Sequence, residues 1–325
     1  MLQLCISPIG AVGLVAFPST VIHATTLVKT LKTMHKKKMY SKMTLYIEAC
    51  ESGSMFKGLL PDDINIYATT ASNATTSSYA CYYDEYLKTY LGDVYSVKWL
   101  EDSDRENLNR ETLEQQYKIV RRETNTSQVC QFGDLSIAKK MKVADFQGSS
   151  KDPLSEFVLL NEVKDRGHYY YDTAGRKSDV SWPVSQCGRD AVPGPEVPRI
   201  ILEKRLASPE NSDDKEEIEK ELQKLIQGRQ SLSKITANII TAVTGDENET
   251  RKIMNTTIEL TKFACHKSIA ERFHDRCFNL GCNGYALRMV NHFATMCQLG
   301  YDADALIEAI EKTCAGFQAS ACGLH

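Results

Sequence analysis

Hydrophobic residues follow two different periods along the chain. In the first half, short apolar runs at residues 13–17, 43–49 and 64–68 predict strands. Apolar positions three or four apart predict amphipathic helices over residues 24–40 and 111–122. Strands that alternate with helices indicate an α/β fold with a largely parallel sheet and flanking helices. Ligands bind at the carboxyl ends of the strands in such sheets, so we expect the functional residues there.

The pattern becomes helical throughout after residue 212. Two apolar stripes at helical spacing follow each other, formed by Ile218, Leu222, Leu225 and Ile226 and then by Leu232, Ile235, Ile239 and Val243. Gly245 marks the expected helix end, because glycine adopts the left-handed conformation that closes many helices. Further helical periodicity covers residues 250–275, 284–298 and 302–314. These segments predict a separate all-helical C-terminal domain.

The segment between these two parts has a different character. Residues 149–198 combine polar and aromatic residues without a period, and the prolines of residues 193–198 predict an extended linker. The run His-Tyr-Tyr-Tyr at residues 168–171 has no partner pattern. We interpret this segment as an exposed insert and assign it no function.

The composition limits the classes of function. Hydrophobic residues make up 42% and charged residues 25% of the 325 residues, as in ordinary soluble globular proteins. The net charge of −3 argues against a nucleic-acid partner, and no stretch is long and apolar enough to span a bilayer. Residues 1–17 are mostly apolar, but they lack a charged start and are interrupted by Gly10 and Gly13. They predict a strand and a loop rather than a clear signal peptide.

The cysteines are concentrated near the end of the chain. Six of the eleven lie there: Cys265, Cys277, Cys282, Cys297, Cys314 and Cys322. No Cys-x-x-Cys pair or zinc-type spacing occurs, so we predict no metal. Paired cysteines in a secretory compartment fit better. Glycosylation sequons agree with that compartment and begin at Asn73, Asn125, Asn248 and Asn255.

One cysteine stands in a different context. Residues 46–55, Tyr-Ile-Glu-Ala-Cys-Glu-Ser-Gly-Ser-Met, read as a buried strand that ends at Cys50 and opens into a loop of small residues. A thiol held in this way is a candidate nucleophile, provided that a base or a positive field lowers its pKa. The alternative is a buried structural cysteine, which is the usual state of a lone cysteine in an apolar strand.

Four motifs in one order resemble the animal legumains, a family of asparaginyl endopeptidases. They are residues 46–55, Asn-Ile-Tyr-Ala-Thr-Thr-Ala at 65–71, Ser-Ser-Tyr-Ala-Cys-Tyr-Tyr-Asp at 77–84 and Tyr-Leu-Gly-Asp at 90–93. The resemblance implies a caspase-like cysteine protease that is made as a zymogen, needs no cofactor and hydrolyses bonds after asparagine. It also implies a lysosomal, endosomal or secretory location, with peptide substrates and cystatin-type inhibitors as partners.

With this resemblance, the predicted domains can be named. Residues 1–148 are a partial legumain-like catalytic domain and residues 149–198 an irregular insert and linker. Residues 199–230 are a linker and activation-peptide helix, and residues 231–325 are a helical prodomain with disulfides. The amino-terminal half of the family's catalytic domain has no counterpart here, so we expect an unpaired strand edge.

The resemblance also implies roles for individual residues. Cys50 is the nucleophile, and the backbone N–H of Gly10 belongs to the oxyanion site. Glu48 and Asp93 accept hydrogen bonds from the substrate amide. Ser77, Ser78 and Tyr79 would line the substrate pocket. Asn211 would be the site at which the chain is cut during activation. Val94 stands where close relatives have tryptophan, which would open the pocket wall.

The catalytic base departs from the family pattern. Where legumains have Asp-His-Gly, this chain has Pro8, Ile9 and Gly10. An isoleucine cannot accept a proton, and loss of a general base removes about a hundredfold to ten-thousandfold in rate. His23 and His35 are nearest in sequence, but both fall on or near the predicted helix of residues 24–40. We expect them to be packed or solvated.

Cysteine pairing in the helical part is taken from the resemblance as well. It implies Cys265–Cys297 and Cys277–Cys314, whereas spacing alone leaves three pairings of these four open. Cys282 and Cys322 depart from the family pattern and could pair or remain free.

These observations leave three hypotheses. The first is a legumain-like endopeptidase proenzyme with little activity because of Ile9. The second is a non-catalytic relative or truncated product that binds inhibitors or substrates. The third is an incomplete gene model joined to unrelated sequence at residues 1–9 and 149–192.

Overall fold

The computed structural model describes residues 1–6, 9–18, 20–148, 187, 189–207 and 215–316, together with the backbone of residues 170–171 and 177–178. Asn211, His168, Pro8 and Cys322 lie outside the described residues. The predictions made for these four positions are therefore not addressed by the structure.

The described residues form twelve strands and eleven α-helices in an α/β part followed by a helical part. The strands are β1 (Leu2–Ile6), β2 (Ile9–Ala11), β3 (Leu14–Phe17), β4 (Thr20–His23), β5 (Met43–Ile47), β6 (Ile66–Thr70), β7 (Tyr79–Asp84), β8 (Thr89–Asp93), β9 (Cys130–Gly133), β10 (Tyr170–Tyr171), β11 (Lys177–Ser178) and β12 (Val192–Pro193). The helices are α1 (Ala24–Lys36), α2 (Val94–Arg105), α3 (Leu113–Glu123), α4 (Leu135–Lys140), α5 (Ala144–Gln147), α6 (Val197–Ala207), α7 (Lys215–Thr244), α8 (Glu247–Met254), α9 (Phe263–Arg276), α10 (Gly284–Leu299) and α11 (Ala303–Thr313).

The main sheet has the strand order β1-β5-β6-β9. Strands β1, β5 and β6 are parallel and β9 is antiparallel, which confirms the predicted α/β class. Every residue of β5 and β6 is buried, because helices cover both faces of the sheet. Val28 and Leu31 of α1 pack on one face, and Tyr117 and Val120 of α3 pack on the other.

Strand β1 is the outer strand of this sheet and pairs with β5 alone among the described strands. Leu2 and Leu4 are each 42% exposed along it. Within the described part of the chain, no strand pairs with its outer edge, which also carries apolar side chains.

Two smaller antiparallel sheets flank the main one. Strands β2, β3 and β4 form the first, and β12, β7 and β8 form the second. A separate antiparallel pair, β10 and β11, lies within the segment predicted to be an irregular insert. In the second sheet, β7, which follows Ser78, pairs with β8 and with β12. Strand β12 lies near the end of the predicted insert and linker.

The helical part and the α/β part share one hydrophobic core. Ala11, Leu14 and Ala16 of the β2–β3 hairpin lie in the same cluster as the buried residues of α9 and α10. At its centre, the rings of Phe273 and Phe293 meet edge to face at 5.2 Å. The hairpin is therefore fixed by the helices on one side and by the sheet on the other.

The structure differs from the predicted pattern in three places. The predicted helix over 250–275 is two helices, because Leu260 leaves the helical path and packs against Val12. Ile226 is 37% exposed, since it lies one position beyond Leu225 and on a different face of α7. Residues 193–198 are not fully extended. A 3-10 helix covers Gly194–Glu196 and α6 follows directly, which proline tolerates in a first turn.

Truncation of Phe293 tests the shared core. Phe293→Ala removes a fully buried ring, and we expect the free energy of unfolding to fall by about 3–5 kcal/mol. Leu299→Ala is the control, because Leu299 is 51% exposed at the end of the same helix. Denaturant unfolding measures both. Equal effects of the two substitutions would contradict the assigned core.

Candidate active site

Cys50 lies just beyond the carboxyl end of β5, in the wall of a cavity of about 590 Å³. The cysteine is 7% exposed, and Glu51 follows it in a left-handed conformation with φ of 51°. This sharp turn leads into the 3-10 helix Ser52–Met55. The sulfur therefore faces a cleft at the edge of the sheet where the sequence predicts the functional residues.

Gly10 packs directly on the backbone of Cys50. A Cβ atom at Gly10 would lie 2.1 Å from the carbonyl oxygen of Cys50 and 3.0 Å from its nitrogen, so only glycine fits there. The neighbouring Gly13 N–H donates to Ser54 Oγ at 2.7 Å and fixes the same hairpin to the loop after Cys50. The structure thus brings the expected oxyanion residue and the expected nucleophile together.

The thiol of Cys50 has polar but uncharged hydrogen-bond partners. The backbone N–H of Ser78 donates to Sγ at 3.3 Å, and Ser78 Oγ lies 3.6 Å from the sulfur. Burial raises the pKa of the thiol to about 11, and the nearby Glu51 carboxyl also acts to raise it. The hydrogen bonds of Ser78 act in the opposite direction and lower the pKa. The sulfur is therefore protonated at neutral and acidic pH, which makes it a poor nucleophile.

Ile9 lies in the wall of the same cavity and is 46% exposed. The cavity wall contains no histidine among the described residues. His23 is buried 3.7 Å from Glu271, and burial lowers its pKa to about 4. His35 lies against Tyr40 with ring centres 6.0 Å apart. Neither histidine contacts the Cys50 sulfur, and the position of the family's histidine holds a hydrocarbon side chain in the wall of the same cavity.

Glu48 and Asp93 line the cavity together. Burial and the nearby Asp93 raise the pKa of Glu48 to about 8, and burial raises the pKa of Asp93. One oxygen of Glu48 accepts a hydrogen bond from the N–H of Ser96 at 2.7 Å. The other, Oε1, is buried and has no partner among the described residues. This pair can accept hydrogen bonds from an amide group that enters the cavity.

Of the three other expected pocket residues, only one lies in the cavity wall. Ser78 is in the cavity wall, whereas Ser77 and Tyr79 are not among the lining residues. Tyr79 starts β7 and packs beside Cys81. Val94 is also buried against Cys81, so it does not form the cavity wall that we expected it to open.

Sequence reasoning missed the residues that cover the cleft. Side chains of α7, of the turn before α10 and of the first turn of α10 complete the cavity wall: Leu225, Arg229, Leu232, Asn283 and Tyr285. Burial raises the pKa of Glu51 to about 8, although the positive charge of Arg288 in the helical part acts to lower it. No local signal in the sequence indicates these contacts, because they join segments far apart in the chain.

Three disulfides are described. Cys265 pairs with Cys297 and Cys277 pairs with Cys314, the two pairs that the resemblance implies. The third, Cys81–Cys187, joins β7 to the segment before β12 and was not expected. Cys282 is disulfide-bonded too.

Among the described residues, no group of three histidine, cysteine or carboxylate side chains is placed to hold a metal ion. No described helix is both long and apolar enough to cross a membrane.

Comparison with known proteins agrees with the geometry of the cleft. Residues 4–149 match the family model described as the peptidase C13 family, and residues 220–314 match the model described as the legumain prodomain. The chain belongs to the C13 peptidase family. The resemblance to legumains is thereby confirmed.

Relatives of this C13 family chain match almost all of it. Legumain of Rattus norvegicus is 39% identical over 307 residues, and legumain of Homo sapiens is 36% identical over 309. Hemoglobinase of Schistosoma mansoni is 35% identical over 311 residues. Each match covers 94% of this chain and 65% of the relative.

Glu48 should make the stability of this C13 family chain depend on pH. Its pKa is about 8 in the folded chain, above its usual 4.5, so folding favours the protonated form. Its stabilising contribution is complete below about pH 4.5 and is lost as the pH rises through 8. Relative to the wild type, Glu48→Gln should therefore gain free energy of unfolding over this range. Denaturant unfolding at several pH values measures it, and a difference that stays constant with pH would contradict the assignment.

Proposed function

We propose that this chain carries the nucleophile centre and the prodomain of a legumain-like cysteine endopeptidase proenzyme. Cys50 is the nucleophile, the backbone N–H groups of Cys50 and Gly10 form the oxyanion site, and the helical part covers the cleft. The observation that carries the proposal is the meeting of Cys50, Gly10, Glu48 and Asp93 in one cavity under α7.

Specificity for asparagine is part of this proposal. The side chain of asparagine presents an amide N–H₂ donor, and Glu48 Oε1 is a buried acceptor without a partner among the described residues. Asp93 is a second acceptor in the same wall. A hydrophobic substrate side chain would leave Glu48 Oε1 without a hydrogen bond, which costs free energy of binding. Processing after Asn211 would follow from the same preference.

We propose that the chain itself has little activity. Ile9 lies where the family has its histidine, and the pKa of Cys50 is about 11 in the absence of a basic partner. The covering helices are a second obstacle, because a peptide cannot reach Cys50 while α7 and the segment before α10 occupy the cleft. The two obstacles act independently: one concerns the thiol and the other concerns access.

The alternative function is binding without turnover, and Ile9 is the observation that favours it. A cleft that keeps the acceptor pair but lacks the base could hold peptides or cystatin-type inhibitors. The disulfides and sequons agree with a secretory, endosomal or lysosomal location for either function.

A reporter peptide tests the activity directly. We expect the wild type to cleave an Ala-Ala-Asn reporter at acidic pH no faster than Cys50→Ala, since the thiol remains protonated and has no base. Rat legumain under the same conditions is the positive control. Turnover by the wild type that disappears in Cys50→Ala would contradict the proposal, and saturable cystatin binding without turnover would favour the alternative.

Ile9→His tests whether position 9 is the base position. An imidazole there should lower the pKa of the Cys50 thiol and speed its alkylation by iodoacetamide at neutral pH by about tenfold or more. Ile9→Gln is the matched control, because glutamine is polar but does not titrate. Peptide mass spectrometry follows Cys50, with the exposed Cys5 as internal reference. Equal rates in the two variants would show that residue 9 does not act on the thiol.

A further inference from the structure

A short segment of the chain lies in the cleft as a strand beside Cys50. Val192 and Pro193 form β12, which pairs antiparallel with Ala80 and Tyr79 of β7. The pairing continues to Gly194, whose N–H donates to the carbonyl oxygen of Ser78 at 3.0 Å. The same Ser78 contacts the sulfur of Cys50 through its own N–H.

Gly194 lies close to the sulfur of Cys50. A Cβ atom built on Gly194 would lie 3.5 Å from Cys50 Sγ. A backbone that is hydrogen-bonded to Ser78 and leaves only this much room beside the thiol occupies the path of a peptide bound along β7. The segment therefore excludes such a peptide while it remains in place.

The segment fills the peptide path without filling the side-chain pocket. Gly194 has no side chain to meet Glu48 and Asp93, so much of the cavity remains open beside it. The next residue, Pro195, has no N–H and a fixed φ. Residues 192–196 contain no asparagine, so the segment is a poor candidate for cleavage by Cys50.

Two contacts hold the segment on its amino-terminal side. Cys187 forms a disulfide with Cys81 of β7, with a Cα–Cα distance of 5.3 Å. Asp190 Oδ2 accepts a hydrogen bond from the N–H of Tyr83 at 2.7 Å. Five residue steps separate Cys187 from Val192 and extend over at most ~18 Å, so the disulfide keeps β12 close to β7.

Other contacts hold the segment on its carboxyl-terminal side, and these come from the helical part. Arg229 of α7 donates to the carbonyl oxygen of Pro195 at 2.7 Å and to Glu196 at 2.8 Å. Arg288 of α10 also donates to Glu196, at 3.2 Å. These contacts are lost if the helical part leaves after a cut between α6 and α7, whereas the disulfide to Cys81 remains.

We propose that the Cys81–Cys187 disulfide is a tether that keeps β12 and Gly194 over Cys50 after the chain has been cut between α6 and α7. Without the disulfide, β12 would be linked to the α/β part only through residues 149–186, and its effective concentration at β7 would be much lower. Opening of the cleft then needs two events, a cut and a reduction. This inference rests on the proposed function only because it takes the cleft to be a peptide-binding site.

The reduction is a thiol–disulfide exchange with a dithiol reductant. Its thiolate attacks the sulfur of Cys187, which is 8% exposed, whereas Cys81 is fully buried. The bond between Cys81 and Cys187 breaks, Cys81 leaves as a thiolate and takes up a proton, and a mixed disulfide forms. The second thiol of the reductant then displaces Cys187. The products are two cysteine thiols in the chain and an oxidised reductant.

A two-by-two experiment on the full chain tests the tether. A recognition site for a specific protease is placed between α6 and α7 in the wild type and in Cys187→Ser, and each protein is assayed uncut and cut. The readout is the alkylation rate of Cys50 by iodoacetamide, resolved by peptide mass spectrometry, with Cys130 as internal reference. This readout requires no peptide hydrolysis, so failure of the proposed activity would leave the result interpretable.

Only the cut Cys187→Ser protein should show fast alkylation, by about tenfold or more over the other three. The cut wild type should become equally fast after treatment with a dithiol, and this second measurement does not depend on the folding of the variant. Fast alkylation of the cut, unreduced wild type would overturn the tether. Slow alkylation of both cut Cys187→Ser and the cut, reduced wild type would overturn it as well.

Discussion

The close approach of Gly10 to Cys50 is the constraint on which the rest of the structure depends. A Cβ atom at position 10 would lie 2.1 Å from the Cys50 carbonyl oxygen, so the β2–β3 hairpin can lie on the turn at Cys50 only with glycine there. The hairpin also places Ala11 and Leu14 in the core of the helical part. One backbone contact thus connects the end of the main sheet, the cleft and the helices that cover it. It also fixes Ile9 in the cavity wall, since Ile9 precedes Gly10 directly.

The electrostatics of the cleft follow from this arrangement. Glu48, Glu51 and Asp93 are enclosed near the thiol, and burial raises the pKa of each carboxyl group. Arg229 and Arg288 of the helical part bind Glu196. The pKa of the thiol is raised mainly by burial, and the Glu51 carboxyl adds to this. A buried carboxyl group beside a buried thiol favours the neutral state of the thiol, as the raised pKa of Cys50 shows.

Much of the fold could be predicted from the sequence, because strong amphipathic patterns determine local structure. Residues 111–122 predict a helix, and α3 covers Leu113–Glu123. Prediction failed where a distant contact decides. Leu260 leaves a helical pattern to pack against Val12. Strand β12 has two residues, so it has no period of its own and exists only through its pairing with β7.

The candidate site shows the same division. Cys50 can be found from a strand followed by a small-residue loop, and Glu48 from the resemblance to legumains. The Cys81–Cys187 disulfide spans 106 residues, and the burial of Glu51 beside Arg288 joins the two parts of the chain. Neither leaves a local mark in the sequence. The isoleucine at position 9, in contrast, is read directly from the sequence. The structure adds that its side chain lies in the cavity wall.

Among the described residues, the Cys50 thiol has no basic partner that would ionise it. The most direct test is the titration of its thiolate by ultraviolet absorbance, taken as the difference between the wild type and Cys50→Ser. We expect a midpoint near pH 11, because burial raises the pKa of the thiol. A midpoint below about 8.5, the usual pKa of a cysteine, would contradict it, since some group would then be stabilising the thiolate.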